Sequence, residues 1–157
     1  MPLEIERKFL VKNDDWRKFV SNGTEYVQGY IFDNDKKVLR VRTTGDKAYI
    51  TIKAAIEGNS LVRHEYEYSI PLNEAKEMLE NFCFEGKIEK IRYIFNYHGN
   101  KWEIDEFKGG NKGLVLAEIE LDDPNTKIDT PDWIGEEVTD DPRYLNNSLS
   151  KNPYPFK

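Results

Sequence analysis

Several features are scarce in this sequence of 157 residues, and each scarcity excludes a class of protein. One cysteine, Cys83, allows no intramolecular disulfide, and with two histidines there is no Cys/His pattern typical of zinc sites. No apolar run approaches the ~20 residues of a transmembrane helix, and the N-terminus lacks the apolar core of a signal peptide. The net charge of -6 disfavours general binding to nucleic acid or to an anionic membrane. We therefore expect a cytoplasmic protein with neither kind of partner.

What the sequence does contain favours one packed domain over residues 1–157. Hydrophobic residues make up 38% and aromatic residues 13% of the chain, which is typical of a folded core rather than of disorder. Cys83 follows an apolar helical stripe, so we expect it to be buried by packing. His64 and His98 are expected at the surface rather than as ligands. The oligomeric state, monomer or homodimer, stays open.

Eight stretches show the alternation of apolar and polar residues that is typical of β-strands. They begin at Glu4–Lys8 and continue over 26–32, 37–43, 47–53, 61–70, 87–97, 101–107 and 114–121. Helices are expected near 14–20, 74–82 and 142–150, the second capped by Asn73 and the third by Asp141. The pattern predicts a mainly β (α+β) fold, an eight-stranded antiparallel barrel with a few flanking helices.

The polar side of these strands is unusual because its charges are segregated by sign. Glu4 and Glu6 are two residues apart on one strand, while Arg40 and Arg42 are two apart on another. A solvated outer face around an apolar core is the ordinary interpretation of such alternation. Like charges on adjacent same-face positions are mildly destabilising, however, so a solvated face has no reason to collect them. A Glu-x-Glu pair also presents two carboxylates ~7 Å apart that can converge on a divalent cation. We therefore predict that the charges face a lumen holding water, metal ions and a polyanion.

The same strands carry a set of motifs that resembles a known family. Glu4-Ile5-Glu6-Arg7-Lys8 matches the ExExK signature of the CYTH superfamily, the triphosphate tunnel metalloenzymes. The accompanying motifs follow in order along nearly the whole chain: Gln28-Gly29-Tyr30, Leu39-Arg40-Val41-Arg42, Thr51-Ile52-Lys53, Glu65-Tyr66-Glu67, Glu89-Lys90-Ile91-Arg92-Tyr93, Glu103-Ile104-Asp105 and Glu118-Ile119-Glu120. The tail, from Gly135 to Asn147, also resembles the short bacterial members.

The resemblance implies a closed eight-stranded tunnel that binds a small-molecule triphosphate with Mg²⁺ or Mn²⁺. By analogy the substrate-binding residues would be Lys8, Arg40, Arg42, Lys53, Lys90 and Arg92. The metal residues would be Glu4, Glu6, Glu65, Glu67, Asp105, Glu118 and Glu120. The catalytic residues would be Lys8, Tyr30 and Lys90. Tyr30 and Lys90 occupy the places of a tyrosine–lysine pair in short bacterial members, although Tyr30 is equally explained as part of the lumen wall.

Within this family the expected reaction is hydrolysis of inorganic triphosphate to pyrophosphate and phosphate. Class IV adenylyl cyclases have an extended lead before ExExK, whereas only three residues precede Glu4 here. A thiamine triphosphatase needs an aromatic platform, for which the lumen-facing positions offer few candidates. A polyphosphate-binding module without catalysis remains the alternative from another class, but it explains the acidic pairs poorly. Whether a second metal or a lysine base would activate water is left open.

Overall fold

The computed structural model describes residues 3–34, 36–83 and 86–156, so the lead residues Met1 and Pro2 lie outside the described chain. Its strands are β1 Leu3–Val11, β2 Thr24–Asp33, β3 Lys37–Thr44, β4 Lys47–Ile56, β5 Asn59–Ser69, β6 Ile88–Tyr97, β7 Asn100–Phe107, β8 Val115–Glu120 and β9 Ile134–Glu137. Its α-helices are α1 Leu72–Phe82 and α2 Asn146–Lys151, and short 3-10 helices span Asp15–Phe19, Gly109–Asn111 and Pro142–Tyr144. No helix in these ranges is long and apolar enough to span a bilayer.

Strand β1 closes the sheet into a barrel. Its residues 3–5 pair with β5, and its residues 6–10 pair with β8. These pairings join the two ends of the strand order β5-β4-β3-β2-β6-β7-β8, in which neighbouring strands are antiparallel. The predicted closed eight-stranded antiparallel barrel is confirmed. The ninth strand was not predicted; it pairs with Phe9 and Val11 of β1, on either side of an irregularity between them.

The largest apolar core lies outside the barrel rather than within it. Trp102 and Ile104 of β7 point outward, together with Ile119 of β8, and all three are fully buried. Trp16 of the first 3-10 helix and Trp133 next to β9 cover them and belong to the same cluster. Because alternate residues of a strand face opposite sides, this outward burial leaves the charged residues facing the lumen.

One end of the lumen is filled by apolar side chains. Ile88 lies two residues before Lys90 and so shares its inward face, and Phe107 lies two after Asp105. Both are buried in a cluster with Leu116, Tyr144 and Leu149. The segment from Pro142 to Lys151 therefore packs across this end of the barrel, and it brings the start of α2 to the lumen.

Helix α1 covers the outer face of β2 to β4 through Ala75 and Leu79, which pack with Val41 and Cys83. Gly29 is required for this close packing, because a Cβ there would lie 2.8 Å from Cβ of Cys83. The burial of Cys83 is confirmed.

Three local predictions about the helices were wrong. Helix α1 begins one residue before Asn73, after Pro71, and no side chain caps it. Phe82, at the end of the predicted stripe, is exposed. The third predicted helix is two elements, since a 3-10 turn at Pro142–Tyr144 precedes α2, although Asp141 does cap that turn through the backbone N–H of Arg143.

Candidate active site

A charged cavity of about 270 Å³ occupies the barrel lumen. All but one of the predicted site residues line it. They are Glu4, Glu6, Lys8, Tyr30, Arg40, Arg42, Lys53, Glu65, Glu67, Lys90, Arg92, Glu118 and Glu120. The exception, Asp105, lies behind the cavity wall among the bases. The ordinary interpretation of the charged alternation, a solvated outer face, is therefore wrong.

Seven residues of the lumen also line a second cavity of about 280 Å³: Glu6, Lys8, Val38, Lys53, Arg63, Leu145 and Asn147. The remaining walls of this second cavity come from the start of β3 and the loop before it, the end of β4, the start of β5 and the segment 138–142. Since the two cavities share walls, the second is a candidate entrance to the lumen.

Glu4 holds two bases near this shared wall. Its Oε2 lies 2.7 Å from Nζ of Lys53, and its Oε1 accepts a hydrogen bond of 2.9 Å from Nη2 of Arg63. Burial opposes ionisation of Glu4, but the charges of Lys53 and Arg63 outweigh it and hold the pKa of Glu4 well below its ordinary value. Glu4 is therefore a charged and firmly positioned carboxylate.

The neighbouring acids are crowded, and their ion pairs are longer: Glu6 lies 3.4 Å from Arg63, and Glu65 lies 3.4 Å from Lys53. Burial, with the nearby carboxylates Glu118 and Glu4, raises the pKa of Glu6 to about 7. Burial and a shared hydrogen bond with Glu4 raise the pKa of Glu65 to about 7 as well. Burial and the nearby carboxylates of Glu4 and Glu103 also raise the pKa of Glu120. This part of the lumen thus carries an excess of carboxylates, whose repulsion a cation would relieve.

On the opposite wall, Asp105 joins two bases. Its carboxylate accepts hydrogen bonds from Nε and Nη2 of Arg92 at 2.7 and 2.8 Å, and Nζ of Lys90 lies 2.8 Å away. Burial lowers the pKa of Lys90 to about 7, and the positive charges of Arg92 and Arg42 add to the effect while Asp105 opposes it. Both oxygens of Asp105 are thus engaged by bases, an arrangement that favours orienting those bases over binding a metal.

Arg42 has a different environment from Arg92. Its Nε donates a hydrogen bond of 2.8 Å to Oε1 of Gln28. Burial, together with the charges of Arg40 and Arg92, lowers the pKa of Arg42 to about 9. Arg40 donates to Thr51 at 3.2 Å and lies 3.4 Å from Glu67, but its buried Nε has no hydrogen-bond partner in the described residues. Among the described residues, Arg42 thus has no carboxylate partner and Arg40 has one unused donor.

Tyr30 and Lys90, the predicted pair, are brought to the same cavity but are joined indirectly. Nζ of Lys90 donates a hydrogen bond of 2.8 Å to Oδ1 of Asn146. Nε2 of Gln28 donates to the same oxygen at 3.3 Å and to the hydroxyl of Tyr30 at 3.0 Å. Lys8, on the far wall, donates to the backbone oxygen of Tyr144 at 3.1 Å and lies 3.4 Å from Glu118.

Comparison with known proteins identifies the family that this lumen belongs to. A family model described as the CYTH domain matches residues 2–153. The chain belongs to the CYTH domain family. It is 54% identical to an inorganic triphosphatase of Acetivibrio thermocellus over 154 residues, which cover 98% of this chain and 97% of that protein. It is 36% identical to an inorganic triphosphatase of Nitrosomonas europaea over 151 residues, 94% of this chain and 96% of that one.

The fold is also similar to that of a solved CYTH-type protein. The crystal structure of the inorganic triphosphatase NE1496 superposes with a TM-score of 0.67 at 34% identity, covering 97% of each chain. The family predicted from the motifs is thereby confirmed.

The donor chemistry of this CYTH lumen fits a divalent metal ion. Mg²⁺ and Mn²⁺ prefer carboxylate oxygens, which the lumen supplies in excess around Glu6 and Glu120. Across the ranges 3–34, 36–83 and 86–156, no three acids, histidines or cysteines are already grouped to hold an ion. The reason is visible at Glu4 and Glu118, since lysines and arginines hold these carboxylates. A metal would therefore compete with those bases for carboxylate oxygens.

Several residues of the site were missed as functional positions by the sequence analysis. Asn146 and Asn147 reach the lumen from α2, and Tyr26 lines it two residues before Gln28 on β2. Asn147 is tied to Asp33 by a hydrogen bond of 2.8 Å, which fixes α2 to the end of β2. Tyr26 had a signal in the sequence, because it shares the inward parity of Gln28 and Tyr30. Asn146 had none, because its role arises from the packing of the tail.

Proposed function

We propose that this protein is a metal-dependent inorganic triphosphatase that hydrolyses triphosphate to pyrophosphate and phosphate. The observation that carries the proposal is the enclosed lumen, in which guanidinium and ammonium groups face crowded carboxylates across one cavity. The names of the two relatives, both inorganic triphosphatases aligned over nearly the whole chain, support the same reaction. Triphosphatases of the CYTH family are metal-dependent in general, and Mg²⁺ or Mn²⁺ are the ions we expect here.

The bases of the lumen are suited to binding phosphate. Arg42 has no ion pair within the described chain, and Arg40 keeps one buried N–H without a partner. A planar guanidinium presents its donors in a fork that matches phosphate oxygens. We assign Arg40, Arg42, Arg92 and Lys53 to binding the phosphate chain. Held in place by their neighbours, they would stabilise the charge that develops on the transferred phosphoryl group.

The acids are assigned to the metal. When bound, a divalent ion supplies charge neutralisation on the phosphate oxygens and lowers the pKa of water. Glu6 and Glu120 belong to the crowded group and lie directly opposite each other on β1 and β8, and Glu118 lies beside them on β8. They would hold the ion, together with Glu4, Glu65 and Glu67 from β1 and β5. Asp105, the seventh predicted metal residue, is assigned instead to orienting Lys90 and Arg92.

Lys90 is assigned to proton movement near the phosphates. It is fully buried, it contacts the cavity, and its ammonium is anchored by Asp105 and Asn146. Burial brings its pKa to about 7, so the neutral amine is accessible near neutral pH and could accept a proton from an attacking water. Tyr30 would belong to the same catalytic group as Lys90, to which it is connected by hydrogen bonds through Gln28 and Asn146. Lys8 would stabilise the charge of the phosphates from the opposite wall.

The lumen also favours an inorganic substrate over an organic one. Two tyrosines, Tyr26 and Tyr30, line it. The face of Tyr26 is covered by Arg42 and Arg92, so it is unavailable to stack a nucleobase or a thiamine ring. We therefore expect kcat/KM for inorganic triphosphate to exceed that for ATP and for thiamine triphosphate.

A substrate panel tests this function. Phosphate release is measured for the three triphosphates with purified protein, Mg²⁺ or Mn²⁺, and a matched series containing a chelator. Preference for ATP, or cyclic AMP as the main product, would contradict the proposal, and binding without hydrolysis in any metal would indicate a phosphate-binding module. The cytoplasmic location and the monomeric or homodimeric state stay predictions.

A further inference from the structure

The ring of Tyr26 lies where three bases of the lumen converge. Its centroid is 4.8 Å from Cζ of Arg92, 4.9 Å from Cζ of Arg42 and 6.0 Å from Nζ of Lys90. The sheet register explains this position, since Tyr26 is directly opposite Lys90 on β6 and two residues from Gln28, which is opposite Arg42 on β3. The ring of Tyr26 thus contacts cations from β3 and β6, the two strands that pair with β2.

These cations need to be held together, because they repel one another. Lys90 and Arg92 are held by Asp105, and Arg92 also contacts Glu103 at 2.9 Å. Arg42 forms no ion pair with a carboxylate of the described chain. Its contacts of opposite polarity are the amide oxygen of Gln28 and the negative face of the Tyr26 ring.

The kind of contact matters for an anion-binding site. A carboxylate beside Arg42 would hold the guanidinium but would also cancel its charge and repel a phosphate. An aromatic face attracts a cation through its quadrupole while it carries no net charge. The guanidinium is therefore fixed in direction while its full positive charge remains available to a ligand.

We propose that Tyr26 is a positioning residue for triphosphate binding, whose ring holds Arg42 and Arg92 in a phosphate-binding arrangement without neutralising them. The inference rests on the proposed function, because it names a determinant of substrate affinity at the same site. The hydroxyl of Tyr26 has no part in it; the ring alone performs the role.

The test compares Tyr26→Leu, Tyr26→Phe and wild type. Binding of inorganic triphosphate is measured by calorimetry in a chelating buffer, where there is no turnover, and kcat and KM are measured separately with metal. Loss of the ring should weaken binding and raise KM roughly tenfold, as expected for desolvated cation–π contacts, while kcat changes by less than about threefold. Tyr26→Phe should restore affinity to within about twofold.

Controls separate positioning from folding. Tyr68→Leu removes an exposed tyrosine from the outer face of β5 and should bind triphosphate as the wild type does. Thermal melts without ligand show whether each variant is folded, and Tyr26→Met repeats the test if the leucine variant is not. In an Arg42→Gln background, Tyr26→Leu should cost clearly less than its tenfold effect in wild type.

Two outcomes would overturn the inference alone. One is a folded Tyr26→Leu variant that binds triphosphate as tightly as wild type; the other is full additivity with Arg42→Gln. If the wild type neither binds nor cleaves triphosphate, the proposed function fails and this inference fails with it.

Discussion

Replacing Asp105 by asparagine removes the charge that holds two bases of the lumen while keeping the shape of the side chain. Asp105 is 1% exposed and makes three contacts of 2.7 to 2.8 Å, two with Arg92 and one with Lys90. Removing one partner from a buried ion pair typically costs ~3–5 kcal/mol, because the other charge is left uncompensated. For a domain of this size the melting temperature should fall by about 10 °C.

The assay is a thermal melt without ligand, paired with kinetics at several Mg²⁺ concentrations. We expect triphosphate turnover to fall by roughly 10²-fold, because Lys90 and Arg92 lose their orientation. If Asp105 orients bases, added Mg²⁺ should leave this loss unchanged. If it binds the metal, as the sequence predicted, added Mg²⁺ should recover part of the activity.

The matched control is Asp132→Asn, which removes an exposed aspartate and should change the free energy of unfolding by less than ~0.5 kcal/mol. An Asp105→Asn protein that melts with the wild type would refute the reasoning, since the buried network would then contribute nothing to stability.

Three further predictions concern the acids, the bases and the outer core. Glu6→Gln should lower turnover roughly 10²-fold at limiting metal, and turnover should recover partly when the metal concentration is raised. Arg42→Ala should raise KM for triphosphate, and added metal should not lower KM again. Identical metal responses of the two variants would contradict the assigned roles. The pKa of Lys90 is about 7 in the folded chain and near 10.5 when exposed, so the unfolded state binds the extra proton between these values. The free energy of unfolding should therefore rise from pH 7 to pH 9, a rise that Lys90→Met should lack in urea melts at each pH. Trp102→Ala should cost ~3–5 kcal/mol in the same melts, because this fully buried ring packs against Phe9, while kcat of the folded protein stays near wild type.

Most of the fold could be predicted from the alternation of apolar and polar residues along the strands. Leu39 and Val41 on one side of β3, with Arg40 and Arg42 on the other, predict both the strand and its two environments. The grouping of like charges along the strands then predicted that the charged side faces the lumen, and the residues lining the cavity confirm this prediction. Composition alone would have favoured the opposite arrangement, since apolar residues usually fill a barrel of eight strands.

The parts that sequence reasoning missed depend on contacts between distant segments. Strand β9 is four residues long and contains Gly135, so neither its length nor its composition indicated a strand. Asn146 gains its role only because the tail packs across the barrel end and places its amide beside Lys90. Phe82 fits the helical stripe of α1 but lies at the last turn, where its side chain is 54% exposed.

The roles proposed for the site residues depend on the family motifs, because the alternation of a single strand does not show which side chains contact one another. The parity of β7 predicts that Asp105 faces the lumen, but it cannot show that Lys90 and Arg92 from β6 occupy both carboxylate oxygens. Side-chain pairing of this kind depends on which neighbour is nearer, and that is set by the register between strands.

Product analysis of triphosphate incubated with the purified protein, with and without Mg²⁺ or Mn²⁺, distinguishes hydrolysis from binding. We expect each triphosphate consumed to yield one pyrophosphate and one phosphate, a chelator to abolish the reaction, and Lys90→Met to lower its rate at least ~10²-fold. A wild-type protein that binds triphosphate in the presence of either metal but releases no phosphate would contradict the proposed function.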